Sequence, residues 1–548
     1  MVSRKFKFVK LICAALTAAL FLGGCGSPQT ENKPAGEADA STPQSSVLRI
    51  ALNSDIVTMD VQKTSNDYLV PMNVFDTLFE VVKHDDGSTS IEKSLVSDYE
   101  ISKDGLTYSF TLREGVVFSD GTPLTSEDVK FTFERMLTLP DSQQTDYAVA
   151  IEGARELMEG TADELTGIRV LDDTHFTITL SEPFAVFLAQ LAAPSTSILS
   201  KSIVSDAGDD FGIVPEKTLG TGPYVVTSWE HGSGISFSYN PRYWGDEPSV
   251  KEVSAKIMDA SSMDMAFQKG DLDIIDCLML DNAIVDSVYK TRFKDNIVSV
   301  DRLGINYLML NENVKPLDDP SVRKAIQMAI DRQSILDAIY SGDGKLEDGI
   351  YPSGCLGYSQ DNQGWLKYDP DGARELLRNA GYSEGFEMEL ALDSGAAVAS
   401  HNVLQIISQN LSDVGINAVI KNYDHASWLD LRNSGEMESF LALWILDYND
   451  PDNVIYTFFG SKDNTVIRSN NYSDEVKIAR VAAARGIIDP GERMEEYASL
   501  EKELVMDDAV WVPMFSLKHL FVKSDKVADF VPQWAGWSDI YFKGVTLK

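Results

Sequence analysis

The stretch "DGLTYSFTLREGVVFSDGTPLTSEDVKFTFERML", residues 104–137, contains the clearest local folding signals of the chain. Tyr108, Phe110 and Leu112 alternate with polar residues, which is the period-two pattern of a half-buried β-strand. An Asp-Gly pair and a proline then indicate a turn. The first half of the stretch therefore predicts a strand that is buried on one face and ends at a tight turn.

The second half of the same stretch predicts an amphipathic helix. Thr125, followed three residues later by Asp128, resembles a capping box, in which two side chains bind free backbone N–H groups at the start of a helix. The apolar residues that follow recur at helical spacing and predict its buried face: Val129, Phe133, Met136 and Leu137.

The remainder of the chain repeats this alternation of strand and helix signals. One helix is expected to begin at Asp318 or Asp319 with Pro320 in its first turn, and two others to end at Gly381 and Gly415. A chain of 548 residues is too long for one small core, so two or three domains are expected. The indicated fold class is α/β or mixed α and β.

Composition and motifs exclude several functions. The formal net charge of -37 makes nucleic acid an unexpected partner, because an acidic surface repels phosphate backbones. HExxH, GxSxG, P-loop and GxGxxG motifs are all missing, and the six histidines are scattered singly, so no enzymatic activity, cofactor or metal site is predicted. Cys277 lies in an apolar run and is expected to be a buried thiol, although a disulfide with Cys355 stays open.

The N-terminal residues carry a targeting signal. Basic residues precede an apolar segment that is too short to span a bilayer, so residues 1–24 are predicted to be a signal peptide. The segment ends in "LGGC", which resembles a bacterial lipobox and implies lipidation of Cys25. Residues 25–46, including that anchor, form a predicted disordered tether. We expect a lipid-anchored protein on the outer face of the bacterial cell membrane, with a Gram-positive surface favoured.

Several segments resemble, in content and in order, the solute-binding proteins of peptide/nickel-type ABC importers. The segments are "EKSLVSDYEISKDGLTYSFTLREGVVFSDGTPLTSEDVKFTFER" (92–135), "GTGPYVV" (220–226), "NPRYWG" (240–245), "PLDDPSVRKAIQMAIDR" (316–332), "WILDYNDPDN" (444–453) and "YASLEKELVMDDAVWVPMF" (497–515). The resemblance implies an α/β, two-lobe periplasmic-binding-protein-like fold of class II. It is the large three-domain type, with a hinge and a ligand cleft between the lobes.

The resemblance also implies a division of the chain. Lobe I is expected to comprise residues 47–83, 204–305 and 517–548, with an extra domain at residues 84–203. Lobe II is expected to comprise residues 306–516.

The segment "LWILDYNDPDNV", residues 443–454, is the candidate binding site. In oligopeptide-binding members of the family, the carboxylate of a Trp-x-x-Asp pattern contacts the N-terminal ammonium of the peptide, so the resemblance gives this role to Asp447. An alternative is that Asp447 caps the helix predicted after it. The spacing does not match a calcium-binding loop, and Asp450 and Asp452, beside a proline, are interpreted as turn or cap residues.

Neighbouring residues are candidates for further contacts with a peptide. The run before Asp447 can offer backbone N–H and C=O groups, and aromatic rings can line side-chain pockets, although Trp428 also fits a helix core. The predicted ligand-binding residues are Trp428, Trp444, Ile445, Leu446, Asp447 and Tyr448.

Recognition of a free C-terminus has no local support in this segment. Some oligopeptide binders have an arginine just upstream of the tryptophan, whereas residues 440–443 contain no basic side chain. Arg332, Arg374 and Arg432 lie elsewhere in the chain, and their positions relative to the cleft cannot be derived from sequence. A peptide longer than a dipeptide is therefore favoured.

The expected function is capture of oligopeptides and their delivery to the permease and ATPase subunits of an ABC importer. Binding is expected to favour closure of the two lobes of a monomer, without catalysis. The alternatives are the same fold with a dipeptide, nickel chelate or oligosaccharide as solute, a peptide pheromone receptor, and a secreted hydrolase.

Overall fold

The computed structural model describes residues 47–64, 67–84 and 89–548. The predicted signal peptide, Cys25 and the whole predicted tether lie outside the described residues, so their predictions are not tested. Within the described ranges, no helix is both long and apolar enough to cross a membrane.

The β-strands belong to sheets of two to eight strands. They are Val47–Leu52 (β1), Phe79–Lys83 (β2), Thr89–Lys93 (β3), Val96–Ile101 (β4), Thr107–Leu112 (β5), Ile168–Val170 (β6), His175–Thr179 (β7), Tyr224–Glu230 (β8), Gly234–Tyr239 (β9), Glu252–Ile257 (β10), Ile274–Asp276 (β11), Ile297–Asp301 (β12), Gly304–Leu310 (β13), Gly344–Leu346 (β14), Phe386–Asp393 (β15), Ile416–Tyr423 (β16), Ser439–Ile445 (β17), Trp511–Lys523 (β18), Val527–Phe530 (β19) and Val545–Leu547 (β20).

The α-helices cover the sheets and connect their strands. They are Pro71–Val74 (α1), Ser126–Thr138 (α2), Ala154–Met158 (α3), Phe187–Gln190 (α4), Lys201–Ala207 (α5), Ala260–Lys269 (α6), Asn282–Ile284 (α7), Lys290–Arg292 (α8), Pro320–Ala329 (α9), Arg332–Tyr340 (α10), Pro370–Asn379 (α11), Val398–Asp413 (α12), His425–Asn433 (α13), Asp452–Phe459 (α14), Lys462–Ile467 (α15), Glu475–Ala484 (α16) and Pro490–Lys502 (α17).

The strand–turn–helix stretch at residues 104–137 has the predicted structure. β5 lies inside an antiparallel sheet of order β4-β5-β7-β6, and Phe110 stacks on Phe176 of β7 with ring centroids 5.1 Å apart. The capping box forms, since the Thr125 N–H donates to Asp128 Oδ2 at 2.9 Å. All four predicted apolar residues of α2 are buried against this sheet.

Two other predictions from local signals are confirmed. Asp319 caps α9, since its Oδ1 accepts the N–H of Ser321 at 2.7 Å, and Pro320 is the first helical residue. Cys277 and Cys355 are both buried and free, so the possible disulfide between them does not form. Burial raises the pKa of the Cys277 thiol to about 12.

The second sheet has the order β1-β10-β9-β8 and joins the beginning of the described chain to residues 224–257. β1 and β10 run parallel, and the other pairs are antiparallel. Arg49 of β1 holds Asp273, which is almost fully buried, with its Nε donating to Asp273 Oδ2 at 2.8 Å. This contact connects the sheet to the start of β11.

The largest sheet extends across both predicted lobes through one long strand. Residues 511–517 of β18 pair with β13 and β14, whereas residues 518–523 pair with β12 and β11. The short link from β12 to β13 lies beside the middle of β18, where the Arg302 N–H donates to the Leu517 carbonyl at 3.1 Å. The lobe boundaries at 305/306 and 516/517 and the extra domain at 84–203 stay predictions. The β12–β13 link and the middle of β18 lie side by side at these boundaries, which is the expected position of a hinge.

Candidate functional site

The candidate site begins at the end of β17. On one side, β17 pairs with β13 along its whole length, from Ser439 opposite Leu310 to Ile445 opposite Gly304. On the other side, the structure pairs β17 with β15 at a single position within the described chain, Phe440 opposite Ala391. The edge of β17 after Phe440 therefore has backbone groups that no described strand occupies.

Asp447 follows this strand and is held by an asparagine of the next helix. The Asn453 Nδ2 donates to Asp447 Oδ2 at 3.2 Å, and the Asp447 N–H donates to Asn453 Oδ1 at 3.3 Å. The indole N–H of Trp444 donates to the same Asn453 Oδ1 at 2.9 Å. Asn453 therefore fixes the positions of Trp444 and Asp447 relative to each other.

The side chain of Asp447 is partly buried, and the described residues provide no cation within ion-pair distance of its carboxylate. Burial raises its pKa from the ordinary 3.8 to about 6, while the Asn453 hydrogen bond and the positive charge of Arg468 act in the opposite direction. Its negative charge also helps to raise the pKa of Tyr68 and of Tyr147, after the larger effect of burial. Asp447 is therefore near enough to Tyr68 and Tyr147, both distant in sequence, to act on them electrostatically.

The alternative role of Asp447 as a helix cap is wrong. The first turn of α14 is bound by Asp450 instead, whose Oδ1 accepts the N–H of Asp452 at 3.0 Å. Asp447 contacts α14 through the side chain of Asn453 and accepts no backbone N–H of that helix. Its carboxylate oxygens are thus not needed to satisfy the backbone.

Asp450 and Asp452 are structural residues that form buried ion pairs. Asp450 is 3% exposed and accepts two hydrogen bonds from Arg493, at 2.8 and 2.7 Å. Asp452 is 1% exposed and accepts two from Arg485, at 2.9 and 3.2 Å. Asp450 is the turn and cap residue expected from the sequence, whereas the carboxylate of Asp452 accepts only from side chains and caps no helix of the described chain.

The other predicted ligand-binding residues differ in what they expose. Leu446 is completely buried, and its N–H donates to the Leu303 carbonyl at 2.9 Å. Tyr448 is buried in the core beneath the β4–β7 sheet, and its hydroxyl donates to Asp452 at 2.8 Å. Trp444, Ile445 and Trp428 are only partly buried. The side chains of Leu446 and Tyr448 are not accessible to a ligand, because they are packed inside the protein.

Further residues at the site carry no local sequence signal. The hydroxyls of Tyr68 and Ser195 lie 3.1 Å apart, and the ring of Tyr68 stacks on Trp537 with centroids 5.0 Å apart. Tyr68 and Trp537 belong to the same hydrophobic cluster as Trp444. Only the tertiary fold brings these distant positions together.

A cavity of about 420 Å³ lies between α1, β2 and the segment before β20. Met72 and Trp534, which line it, also pack on the cluster that contains Trp444. Burial raises the pKa of Asp76 in its wall to about 6, against the opposing effect of hydrogen bonds from Trp244 and Thr221. Across the described ranges, no group of three or more His, Cys, Asp or Glu side chains is arranged to hold a metal ion.

Residues 90–466 match the family model of the bacterial extracellular solute-binding proteins, family 5. The chain belongs to this family. Two similar proteins come from Escherichia coli strain K12. The probable D,D-dipeptide-binding periplasmic protein DdpA is 28% identical, and the match covers 90% of this chain and 93% of DdpA. The dipeptide-binding protein is 30% identical, and the match covers 77% of this chain and 80% of that protein.

The fold of the family-5 proteins is the two-lobe binding-protein fold expected from the sequence. The chain is similar to the solved structure of DppA from Helicobacter pylori in complex with the peptide STSA, with a TM-score of 0.74 and 27% identity. That match covers 91% of this chain and 98% of the other. The fold expectation is therefore confirmed over almost the whole length.

Proposed function

We propose that this family-5 protein captures oligopeptides with a free N-terminal ammonium group and delivers them to an ABC importer. The observation that carries the proposal is the carboxylate of Asp447. It is partly buried, held in place by Asn453, and without a cationic partner within ion-pair distance among the described residues. A carboxylate in this condition is stabilised by a ligand that brings a positive charge and hydrogen-bond donors.

The energetics of Asp447 favour such a ligand. With a pKa near 6, the carboxylate is mostly ionised at neutral pH although burial disfavours the charge. An ammonium group compensates that charge in a site shielded from water, where the interaction is stronger than on a surface. A neutral sugar offers no such compensation, so the oligosaccharide alternative is disfavoured.

The edge of β17 supplies the second part of the proposed site. An extended peptide can pair with its backbone after Phe440, where β15 has ended its pairing. Main-chain hydrogen bonds of this kind give affinity without reading side chains. Trp444 and Trp428, both partly buried on the same lobe, are proposed as walls for peptide side chains.

The relatives support a peptide ligand and favour one alternative. DdpA and the second Escherichia coli relative are named for dipeptides, whereas the Helicobacter pylori structure contains the longer peptide STSA. A dipeptide is therefore the second candidate ligand. The proposal includes ligand-favoured closure about the two connections beside Leu517, anchoring through lipidated Cys25, and the absence of catalysis.

The test compares a pool of tri- to hexapeptides, free and N-acetylated, in calorimetric titrations with the wild type and with Asp447→Asn. Acetylation or the substitution alone should weaken binding by about 10–1000-fold, and the two together should not add, because both remove the same ion pair. Asp371→Asn, which removes a carboxylate 89% exposed on the surface of the same lobe, is the matched control and should bind like the wild type. Equal binding in all four combinations would exclude the ammonium role of Asp447.

A further inference from the structure

The predicted extra domain, residues 84–203, packs directly against part of predicted lobe II, residues 306–516. Tyr448, which follows β17, is buried among the apolar residues of α2 and the β4–β7 sheet. The Ala185 N–H, just before α4, donates to the carbonyl of Arg485, just after α16, at 3.0 Å. Two regions that are distant in the chain are therefore joined both by a buried ring and by a backbone hydrogen bond.

Arg485 is the centre of this contact. Its Cζ atom lies 4.2 Å from the ring centroid of Phe184, in the predicted extra domain, and 3.5 Å from that of Tyr456, in α14. Its Nε and one Nη donate to the buried carboxylate of Asp452, at 2.9 and 3.2 Å. A guanidinium that stacks on rings while it binds a planar carboxylate has a fixed orientation. Phe184 therefore contacts a surface that α14 and α16 hold in place.

Ile488 lies at the edge of the same contact. A Cβ atom added at Gly105, in the turn between β4 and β5, would lie 2.9 Å from Ile488 Cδ1 and 3.8 Å from Pro183 Cβ. The side chain of Ile488 is nevertheless 55% exposed. The contact is thus small at its edge and partly polar at its centre, and interfaces of this kind between domains of one chain permit relative motion.

The contact is linked to the candidate ligand site through the start of α14. Asp452, which binds Arg485, is followed directly by Asn453, whose side chain holds Asp447. Asn449, in the same segment, donates from its Nδ2 to Thr89 Oγ1 of the predicted extra domain at 2.9 Å. A displacement of residues 447–453 therefore moves the candidate carboxylate together with the contact to the predicted extra domain.

We propose that this contact is a closing latch, in which Phe184 of the predicted extra domain docks on Arg485 of predicted lobe II and slows the release of the enclosed ligand. The latch residues do not contact the ligand and act by holding the closed arrangement. The inference goes beyond the proposed function, because it applies to any ligand enclosed between the lobes, and it rests on the proposed closure. A contact that must break before the lobes separate acts on dissociation rather than on capture.

The first experiment measures the latch in the ligand-free protein. Ile488→Asp places a charge against the turn at Gly105, at an exposed position where the fold should tolerate it. Hydrogen exchange of the Ala185 amide reports the latch, because this N–H donates across the contact. The variant should exchange at Ala185 about tenfold faster than the wild type, since the opening that exposes the amide becomes easier. Small-angle X-ray scattering should give a larger radius of gyration.

The second experiment measures ligand kinetics with a pool of tri- to hexapeptides, by stopped-flow tryptophan fluorescence. Ile488→Asp should raise the dissociation rate about tenfold and change the association rate little, because a contact formed after capture acts on release. Phe184→Leu is the second variant. It keeps an apolar side chain in the core but removes the ring on Arg485, so it should change the rates in the same direction.

The matched control is Val476→Asp, which places the same charge at a residue that is 70% exposed at the start of α16. It should behave like the wild type in all three measurements.

The two proposals fail in different ways. Wild-type exchange at Ala185, radius of gyration and dissociation rate in both Ile488→Asp and Phe184→Leu would overturn the latch, and so would slower association with unchanged dissociation. Neither result touches the proposed function, which the acetylated peptides test. A wild type that binds no peptide, together with an expanded Ile488→Asp variant, would overturn the proposed function and leave the latch.

Discussion

The segment from Asp447 to Asp452 contains carboxylates in two different electrostatic environments. Asp450 and Asp452 each accept two hydrogen bonds from an arginine of a later helix and are almost completely buried. Asp447 has no such partner among the described residues and is held by a neutral asparagine. The difference shows that two carboxylates are neutralised within the fold, whereas the third keeps the unpaired charge that the proposed ammonium site requires.

Removing the Asp452 carboxylate, which is paired with an arginine, should have the largest effect on stability. Asp452→Ala should lower the free energy of unfolding by about 3–5 kcal/mol, because it leaves Arg485 and the hydroxyls of Tyr448 and Tyr497 without their buried acceptor. Chemical denaturation measures the change.

Substitution of Asp447, which has no cationic partner among the described residues, is the matched control for this prediction. A carboxyl whose pKa is raised in the folded state contributes stability at low pH and loses it as the pH rises through about 6, so Asp447→Asn should not destabilise the protein at pH 7. If Asp447→Asn costs as much stability as Asp452→Ala, the contrast between the two ends is wrong.

The pH dependence of binding should follow Asp447 alone. Its ionised fraction falls about tenfold between pH 7 and pH 5 for a pKa near 6, whereas a peptide ammonium stays protonated over this range. Affinity for a peptide with a free N-terminus should therefore fall about tenfold, measured by calorimetry at constant ionic strength. The Asp447→Asn variant should show a flat profile, and a wild-type affinity that rises toward pH 5 would contradict the role of an ionised Asp447.

Loss of the Trp444 hydrogen bond that helps to position Asn453 and Asp447 should have the smallest effect on peptide affinity. Trp444→Phe keeps an aromatic ring but removes the N–H that holds Asn453, so peptide affinity should fall about fivefold, the equivalent of one neutral hydrogen bond. Trp229→Phe is a suitable control, because it also loses an indole hydrogen bond, to Asp55, but in β8 rather than in β17. Equal losses of affinity in the two variants would mean that the effect is not specific to the site.

Local signals predicted the elements of the fold and part of the site. The capping box of Thr125 and Asp128, the buried face of α2 and the start of α9 at Pro320 all depend on residues within one or two turns of each other. The Trp-x-x-Asp pattern selected Asp447, which lies just beyond the end of β17. It could not show that Leu446 and Tyr448 turn into cores, because that depends on what packs above them.

The sequence by itself determined the order of strands and helices, the family and the position of a candidate carboxylate at Asp447. Tertiary structure alone decided which carboxylates are neutralised, since Arg485 and Arg493 lie 33 and 43 residues away from their partners. It also decided that Arg468 stacks on Trp444 and Arg432 on Trp428. The physical reason is that backbone propensities act over a few residues, whereas charge compensation depends on distances that only the packed lobes define.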